Sequence, residues 1–455
     1  MARTALVIGG GLLGVTSAWY LAERGLEVTL VDRREATGLE TSFANGGLIT
    51  PSQSDPWNGP GTLVHLLTWL WREDSPLLLR PRALPGMWRW GLKFLLASRA
   101  APWWRATEAN LRLGLYSAEA LRALRTQLAL RYDSHSAGTL KVYREADALE
   151  RSLVLARSLA PVGLHFRALT PTEAAALEPM LGSQADTLAG AIHYPDDESG
   201  DAHAFTQALE QAARRAGVKF LLGTEVRGLK ARASRLTGVE TAEGDLQADI
   251  YILAAGSYCT PLAASLGLKL PIYPVKGYSA TLDAPGLKRS LSVPLVDFER
   301  KIVVTPIGTH LRVAGTAEFT GYDVTLNPRR GANVLKQMLA LLPEVAEQVD
   351  ETTAQHWAGL RPMTADGPPI VGATPYPNLF INSGHGPLGF TLSAGSSKLL
   401  ADIIAGAQPG IDPAPYALSR FGWVTPRSWP VQPVCRRRCP ACPGSRACPE
   451  RPGRR

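Results

Sequence analysis

The chain has little cysteine, and its distribution is uneven. Cys259 is the only cysteine before residue 435, and the other four, Cys435, Cys439, Cys442 and Cys448, crowd into the last stretch. A body with a single thiol cannot contain an internal disulfide, and it is typical of a protein from a reducing compartment. The four late cysteines could hold a small zinc or iron–sulfur site, but their spacers are short and lack apolar support.

Long uncharged apolar runs are also missing. Residues 4–22 carry no charge, but four glycines interrupt them and divide them into a strand, a turn and a helix. This pattern excludes a signal peptide, and it is too broken for a membrane span of about 20 residues. We find no other run of that kind, so the sequence predicts no segment that crosses a bilayer.

Most of the chain has almost no net charge. Residues 427–455 contain eight arginines and one glutamate, which accounts for nearly all of the net charge of +8. The near-neutral body predicts no nucleic-acid partner. We expect the tail to be disordered and solvated, although its arginines could contact acidic lipid or RNA.

The first 32 residues contain the strongest motif. A short apolar strand comes first, Gly9, Gly11 and Gly14 follow in the spacing G-x-G-x-x-G, and a helix and a second strand ending on Asp32 complete the unit. In a dinucleotide site, Gly9 allows the turn, Gly11 admits the pyrophosphate and Gly14 lets the helix pack closely. Asp32 would accept hydrogen bonds from ribose hydroxyls. The alternative is a glycine-rich turn in an unrelated α/β fold.

Three later segments have features that also suit the binding of a dinucleotide. Residues 40–47 are small, polar and rich in glycine, which suits close approach to a ligand, although an ordinary surface loop is the alternative. Residues 248–256 predict a buried strand that ends on Gly256. Residues 379–382 predict another strand, followed by the glycine-rich loop 383–390 and a helix. The dinucleotide domain is therefore expected to be discontinuous.

The remaining segments predict a second domain. Residues 301–305 and 310–314 read as a β-hairpin. Residues 57–104 hold seven of the eleven tryptophans, which either fill the core of a helical insertion or lie at a membrane interface.

The acidic segment 196–201 lacks the spacing of a calcium loop and is read as a helix-capping turn, so we expect no metal site in the body.

The expected fold is α/β, with a discontinuous Rossmann-like domain, an α+β substrate domain built on an antiparallel sheet, and a disordered C-terminal tail. The length of 455 residues fits two domains. The expected bounds are 1–55, 186–265 and 355–420 for the first domain, 56–185 and 266–354 for the second, and 427–455 for the tail.

Beyond the first motif, several segments resemble a known family. Residues 40–47, 56–61, 196–201, 273–279, 359–372 and 384–397 are similar to the small subunit of bacterial D-amino acid dehydrogenase, within the D-amino acid oxidase and glycine oxidase superfamily. The resemblance runs from residue 5 to about residue 427. It implies FAD as the cofactor and oxidation of D-amino acids, D-alanine among them, to 2-oxo acids and ammonia. It also implies a quinone-type or other respiratory-chain acceptor, and a cytoplasmic protein held peripherally on the inner face of the bacterial inner membrane.

The resemblance also implies roles for individual residues. Arg361 takes the place of the arginine that binds the substrate carboxylate, with a structural salt bridge as the alternative. Tyr273 and Tyr278 are candidates to orient the substrate, or else belong to a strand core. His385 could contact the flavin or be structural. The expected cofactor-binding residues are Val7, Ile8, Gly9, Gly10, Gly11, Leu12, Leu13, Gly14, Asp32, Arg33, Ser42, Asn45, Gly46, Gly47, Val226, Gly256, Gly384, Gly386, Gly389, Phe390 and Thr391.

The expected chemistry is hydride transfer from the substrate Cα to flavin N5, followed by hydrolysis of the imino acid. An arginine clamp and desolvation can supply most of the rate, so an obligatory side-chain base is not required. Two alternatives stay open. One is an oxygen-using amine oxidase of the glycine or sarcosine type, and the other is an RNA-associated flavoprotein that uses its basic tail.

Overall fold

The computed structural model describes residues 3–61, 73, 75–285, 287 and 290–423, so the expected disordered tail lies outside the described residues. The strands are β1 (Thr4–Ile8), β2 (Glu27–Asp32), β3 (Leu48–Ile49), β4 (Leu77–Leu79), β5 (Thr139–Tyr143), β6 (Arg167–Leu169), β7 (Gly190–Tyr194), β8 (Glu198–Ser199), β9 (Lys219–Leu222), β10 (Gly228–Arg232), β11 (Arg235–Thr241), β12 (Gly244–Leu246), β13 (Ile250–Leu253), β14 (Ile272–Asp283), β15 (Leu295–Asp297), β16 (Ile302–Ile307), β17 (His310–Phe319), β18 (Gln355–Thr364), β19 (Ile370–Ala373) and β20 (Leu379–Ser383). The α-helices are α1 (Leu12–Glu23), α2 (Leu84–Ala97), α3 (Ala100–Leu128), α4 (Ala146–Leu159), α5 (Pro171–Leu177), α6 (Ala202–Arg215), α7 (Cys259–Ala264), α8 (Pro328–Leu341), α9 (Pro343–Ala346) and α10 (Gly389–Ala405).

The first sheet has six strands in the order β19-β20-β13-β1-β2-β9. All neighbours are parallel except β19, which pairs antiparallel with β20 at the edge. Its strands come from the beginning, the middle and the end of the described chain. Because β1 lies between β13 and β2, the carboxyl ends of strands from separate segments meet at the turn after β1.

Both faces of this sheet are covered, which explains why β1 is apolar throughout. Ala5 and Val7 pack into the core formed with α1, α6 and α10. Leu6 and Ile8 point the opposite way, into a core shared with α7 and the small antiparallel sheet β10-β11-β12. A strand buried on both faces reads as a continuous apolar run rather than an alternating one.

The second sheet is mostly antiparallel, in the order β18-β14-β17-β16-β15-β5-β7-β6, with β4 added beside β17. Alternate residues divide between its two faces. Leu140, Val142 and Val304 pack into a core with α8. Residues of the opposite parity, such as Val303 and Ala314, face a large cavity between the two sheets.

These two sheets confirm the expected α/β fold class with a mostly parallel sheet and a second, antiparallel one. The segments do not follow the sequence-based domain bounds at every point. Strands β7 and β18 belong to the second sheet, although 186–265 and 355–420 were assigned to the first domain. Helix α3, assigned to the second domain, packs against α10 of the first. The bounds therefore remain a proposal.

The tryptophan-rich insertion is partly core and partly surface. Trp90 and Trp103 donate their indole N–H groups to the carbonyl oxygens of Met363 and Pro56, at 2.9 Å and 3.0 Å. Trp88, on the opposite side of α2, is exposed. Trp69 and Trp71 lie outside the described residues. Among the helices that the structure describes, none is both long and apolar enough to cross a membrane.

We predict that Gly14→Ala destabilises the fold. A Cβ at Gly14 would lie 1.7 Å from the carbonyl oxygen of Gly9, so α1 would have to move away from the sheet. Overpacking of this kind costs roughly 1–3 kcal/mol of unfolding free energy, measurable by urea denaturation. The control is Gly86→Ala in α2, where a Cβ meets open space and helix propensity improves. Equal stability of the Gly14→Ala variant and the unaltered protein would contradict this prediction.

Candidate active site

The turn between β1 and α1 forms one wall of the cavity. Gly9 has a φ of +114°, and its N–H donates to the carbonyl oxygen of Val31 at 2.9 Å. A Cβ at Gly11 would meet only the Ser42 hydroxyl, at 3.6 Å, so the backbone there is open to a ligand. Gly11, the residue before the helix, supplies no side-chain cap, and the Leu12 amide donates to the Ser42 hydroxyl at 3.1 Å, which leaves the other first-turn amides available for an anion. The three glycines therefore have distinct steric roles, as in a dinucleotide site.

Asp32 closes the end of this turn. Its carboxylate accepts hydrogen bonds from the backbone N–H of Gly10, at 2.5 Å, and of Arg34, at 2.7 Å. Burial raises the pKa of Asp32 above its ordinary value. The adjacent Arg33 guanidinium lies 4.1 Å from the centre of the Tyr258 ring. An acid and a stacked cation–aromatic pair thus line the end of the cavity expected for an adenosine group.

The loop 40–47 is held between the two sheets. Thr41 donates its hydroxyl to the carbonyl oxygen of Leu360 at 2.8 Å. From the second sheet, Ser279 donates to the carbonyl oxygen of Ala44, and Thr305 donates to that of Gly46, both at 2.7 Å. These bonds turn a glycine-rich loop into a fixed part of the cavity wall, so the ligand-contact interpretation is favoured over a free surface loop.

The cavity has a volume of about 1290 Å³. This exceeds the roughly 300–1,000 Å³ of ordinary small-molecule pockets, so it has space for an extended dinucleotide and a second small ligand. Most of the residues expected at the cofactor lie on its wall: Ile8, Gly9, Gly11, Leu12, Leu13, Asp32, Arg33, Ser42, Asn45, Gly46, Gly47, Val226, Gly256, Gly386, Gly389 and Phe390. The others lie behind the wall: Val7, Gly10, Gly14, Gly384 and Thr391.

The second glycine loop, between β20 and α10, lines the cavity at the same edge of the first sheet as the first turn. His385 is buried and lines the cavity, and its Nε2 lies 2.9 Å from the Ser396 hydroxyl. Burial lowers the pKa of His385 to about 3, so the imidazole is neutral at physiological pH. Its Nδ1 is buried with no hydrogen-bond partner among the described residues. Because this atom is closed off from the cavity, the ring as it stands does not offer Nδ1 to a ligand.

Arg361, on β18, extends over the second sheet into the cavity. Its NH1 donates to the carbonyl oxygen of Thr316 at 2.9 Å, and its guanidinium lies 5.8 Å from the centre of the Trp57 ring. Gly277 makes this position possible, since a Cβ there would lie 2.1 Å from the guanidinium. Within the described residues, Arg361 has no acidic partner at ion-pair distance, and burial lowers its pKa to about 10. The structural salt-bridge alternative therefore finds no partner there.

An irregularity in the second sheet orients the Thr316 carbonyl group, which accepts the hydrogen bond from Arg361. Thr316 has a φ of +54°, and the pairing of β14 with β17 shifts register beside it. A β-bulge of this kind turns a backbone group out of the regular ladder. The orientation of Arg361 thus depends on a local defect of β17 as well as on its own strand.

The two candidate tyrosines occupy different places. Tyr278 lies on a strand at the cavity wall, but its side chain points to the opposite face of the sheet, into the core with α8. Its hydroxyl donates to Glu318, its ring centre lies 5.6 Å from the Arg330 guanidinium, and burial raises its pKa. Tyr273 lies behind the wall, where its ring centre is 5.7 Å from that of Trp90 and its hydroxyl lies 3.5 Å from the carbonyl oxygen of Ala83. The strand-core interpretation therefore describes both tyrosines better than substrate contact does.

Two acids of the turn 196–201 cap a helix or hold neighbouring segments together. Asp201 accepts hydrogen bonds from the first-turn amides of α6. Asp197 is buried, accepts hydrogen bonds from the hydroxyls of Ser52 and Thr139, and has its pKa raised by burial to about 7. In the part of the chain that the structure describes, we find no group of three or more side chains placed to hold a metal ion.

Sequence reasoning missed several charged residues on the cavity wall, among them Asp55, Lys141 and Lys301. For Lys141 a signal existed, because it alternates with the core residues Leu140 and Val142 along β5 and so faces the other way. Lys301 and Asp55 lie in connecting segments with no periodic pattern. Their position follows only from the tertiary structure.

Comparisons with known proteins agree with this geometry. A family model described as FAD dependent oxidoreductase matches residues 4–403. A D-amino acid dehydrogenase of Paramagnetospirillum magneticum is 44% identical over 417 residues, which cover 91% of this chain and 98% of the relative. A D-amino acid dehydrogenase of Bradyrhizobium diazoefficiens is 41% identical over 419 residues, with 91% and 98% covered. These matches confirm the resemblance noted from the sequence.

Solved structures show the same fold. The L-proline dehydrogenase of P. horikoshii superposes with a TM-score of 0.73 at 21% identity, and covers 92% of this chain and 98% of its own. The glycine oxidase of Geobacillus kaustophilus superposes with a TM-score of 0.69 at 24% identity, with 92% and 99% covered. The expected cofactor and enzyme class are confirmed, since this chain belongs to the family of FAD-dependent oxidoreductases.

Proposed function

We propose that this enzyme oxidises D-amino acids, D-alanine among them, to 2-oxo acids and ammonia. The observation that carries the proposal is Arg361, a cation in the cavity wall with no acidic partner at ion-pair distance among the described residues. Such a group calls for an anionic ligand, and a substrate carboxylate supplies it. The relatives named D-amino acid dehydrogenase supply the substrate class and stereochemistry.

The chain's own residues bind and orient the substrate. One N–H of Arg361 is committed to the carbonyl oxygen of Thr316, and the remaining guanidinium N–H groups are available for the carboxylate. When bound, FAD would supply the acceptor for the hydride of the substrate α-carbon. Trp57, whose ring centre lies 5.8 Å from the guanidinium, covers one side of the clamp, and the fixed clamp contributes by positioning.

The second glycine loop would hold the cofactor in place. The N-terminus of α10 follows this loop, and its backbone amides and dipole favour negative charge nearby. Thr391, on its first turn, accepts a hydrogen bond from the backbone N–H of Thr50 at 2.9 Å, which ties the helix to the segment beyond the 40–47 loop. His385 braces this loop through the hydrogen bond between its Nε2 and the Ser396 hydroxyl on α10.

We further propose that the electrons pass to a membrane acceptor of the quinone or respiratory-chain type, with the protein attached peripherally to the inner face of the membrane. Helix α2 supports this proposal. Trp88, Leu92 and Leu96 are each more than half exposed on one side of it, while the exposed Arg89 and Lys93 flank them and the helix contains no acid. Apolar side chains beside cations suit the surface of an acidic bilayer.

The proposed reaction predicts a change in the absorbance of the bound flavin. Under anaerobic conditions D-alanine bleaches the yellow FAD-loaded enzyme, and L-alanine at the same concentration does not. Stopped-flow absorbance of the bound flavin measures both. Bleaching by L-alanine alone would reverse the assigned stereochemistry. Peroxide release during aerobic turnover would favour the oxygen-using amine oxidase over a dehydrogenase.

The second prediction concerns Arg361. Arg361→Ala retains the flavin but raises the KM for D-alanine by about 100-fold or more, because losing a charge-paired hydrogen-bonding group costs roughly 2–5 kcal/mol. Arg361→Lys keeps the charge but loses the planar guanidinium, so we expect its KM to lie between those of the unaltered enzyme and Arg361→Ala. Steady-state kinetics with an artificial dye acceptor measures all three. An unchanged KM in Arg361→Ala would remove this residue from the substrate site.

The third prediction concerns α2. The double variant Trp88→Glu, Leu92→Glu reduces binding to vesicles of acidic phospholipid at least fivefold in a flotation assay, because both exposed apolar contacts become charges of the same sign as the lipid. Val154→Glu, an exposed apolar residue on α4, is the matched control and binds like the unaltered protein. Equal loss in both variants would show that net charge, rather than this helix, governs binding.

A further inference from the structure

A second cleft, with a volume of about 510 Å³, lies where α2 begins. Lys276 lines it, and its largely buried ammonium group donates to the carbonyl oxygen of Thr325 at 3.0 Å. Arg80 and Arg82, from the short segment between β4 and α2, line the same cleft. None of these residues lines the cavity that contains Arg361. The proposed reaction therefore leaves this cluster of cations without a role.

Arg82 is the cation of this cleft that is open to a ligand. Its side chain is 65% exposed. Within the described residues it forms hydrogen bonds through NH2 alone, to the Thr320 hydroxyl at 3.0 Å and to the carboxylate of Asp323. Its NH1 and Nε groups therefore keep N–H donors for a ligand. Phosphate oxygens accept paired N–H groups of arginine in this geometry.

The charged groups in and around the cleft sum to one positive charge. The described residues that pair here, or act on one another electrostatically, are four cations and three acids: Arg80, Arg82, Lys276 and Arg330 against Glu73, Glu318 and Asp323. Glu318 is shared, because it pairs with both Arg80 and Lys276. A ligand with a single negative charge would balance the cluster.

An exposed apolar stripe on α2 leads to this cleft. Its residues follow one another at intervals of four, so they lie along one side of the helix, and each is at least 46% exposed: Leu84, Trp88, Leu92 and Leu96. The stripe is about 18 Å long, at a rise of about 1.5 Å per residue. Because it begins two residues after Arg82, a phosphate group in the cleft would lie at the end of a surface that suits acyl chains.

A second segment adds exposed apolar side chains beside the cleft. Tyr322, Val324 and Leu326 are exposed on the loop that follows β17. Asp323 and Thr325 alternate with them in sequence and line the cleft. Polar groups inside the cleft and apolar groups around it fit the boundary between the headgroups and the acyl chains of a bilayer.

We propose that this cleft binds the phosphate group of an acidic phospholipid with one negative charge, while the α2 stripe contacts its acyl chains. Arg82 supplies the open N–H donors. The bound headgroup fixes one end of α2 at the bilayer surface, which apolar contact alone would not do. The inference rests on the proposed attachment to the membrane, and it adds a site that recognises the lipid headgroup.

Short-chain lipids test the site without a bilayer. Dihexanoyl phosphatidylglycerol and dihexanoyl phosphatidylcholine share the phosphate group and both chains, but only the first has a net negative charge. We expect the FAD-loaded full chain to bind the first at least fivefold more tightly, in calorimetric titrations below the micelle concentrations. Equal affinities would overturn the site. Displacement of the lipid by an equal concentration of inorganic phosphate would show a site for free phosphate and overturn the lipid assignment.

Two variants change the charge of the cleft in opposite directions. Arg82→Gln weakens binding of dihexanoyl phosphatidylglycerol at least fivefold, because the open N–H donors are lost. Asp323→Asn strengthens it at least threefold, because the acid that competes for Arg82 is lost. Arg157→Gln and Glu150→Gln remove the same charges from an exposed ion pair on α4 and leave the affinity unchanged. Equal changes at the two ion pairs would overturn the site, since net charge would then explain them.

The bound flavin shows that each variant is folded, because both ion pairs lie outside the cavity. We expect all four variants to retain FAD as the unaltered protein does.

Vesicle flotation separates this site from the proposed attachment. If vesicles of phosphatidylglycerol bind Arg82→Gln and Arg157→Gln equally well, the attachment stands and the site fails. If the protein binds no vesicles while its affinity for the short-chain lipid still depends on Arg82, the site stands and the proposed attachment fails.

Discussion

The site depends first on the close crossing of α1 over the turn that follows β1. Gly14 packs so tightly against the carbonyl oxygen of Gly9 that no side chain fits between them. This contact fixes the start of α1 at the cavity wall, where the first-turn amides beyond Leu12 can meet a pyrophosphate. The first sheet then brings strands from three separate segments to the same edge, so the cofactor wall forms only when the whole sheet is assembled.

The second sheet supplies the substrate end through the alternation of its strands. One face packs on α8, and the other presents Arg361, Lys141 and Lys301 to the cavity. Arg361 is oriented by the carbonyl of Thr316 and admitted by the absent side chain of Gly277. Burying the Arg361 charge without an anionic partner costs free energy. An anionic ligand bound beside it would lower that cost.

The sequence predicted the elements whose signals are local. The strand-turn-helix unit at Gly9–Gly14, the buried strand before Gly256 and the loop before α10 each combine an apolar run with glycines at fixed offsets, and each is found in the structure. The predicted hairpin also forms, as β16 and β17. The positions of Asp55 and Lys301 were not predicted, since no residue pattern around either of them indicates that its side chain lines a cavity. Tyr273 is the opposite case. The sequence around it resembles a segment of the family, but its ring packs against Trp90 on α2.

By itself, then, the sequence determined the fold class, the family and the residues of the glycine turns, because backbone conformation and close approach are encoded by neighbouring residues. The tertiary structure alone decided which side chains share the cavity. Whether a residue of β5, β14 or β18 faces the core or the ligand depends on strand pairing across large separations, and a single bulge at Thr316 re-aims the carbonyl that holds Arg361. Such pairings are set by packing between distant segments, and no local pattern carries that information.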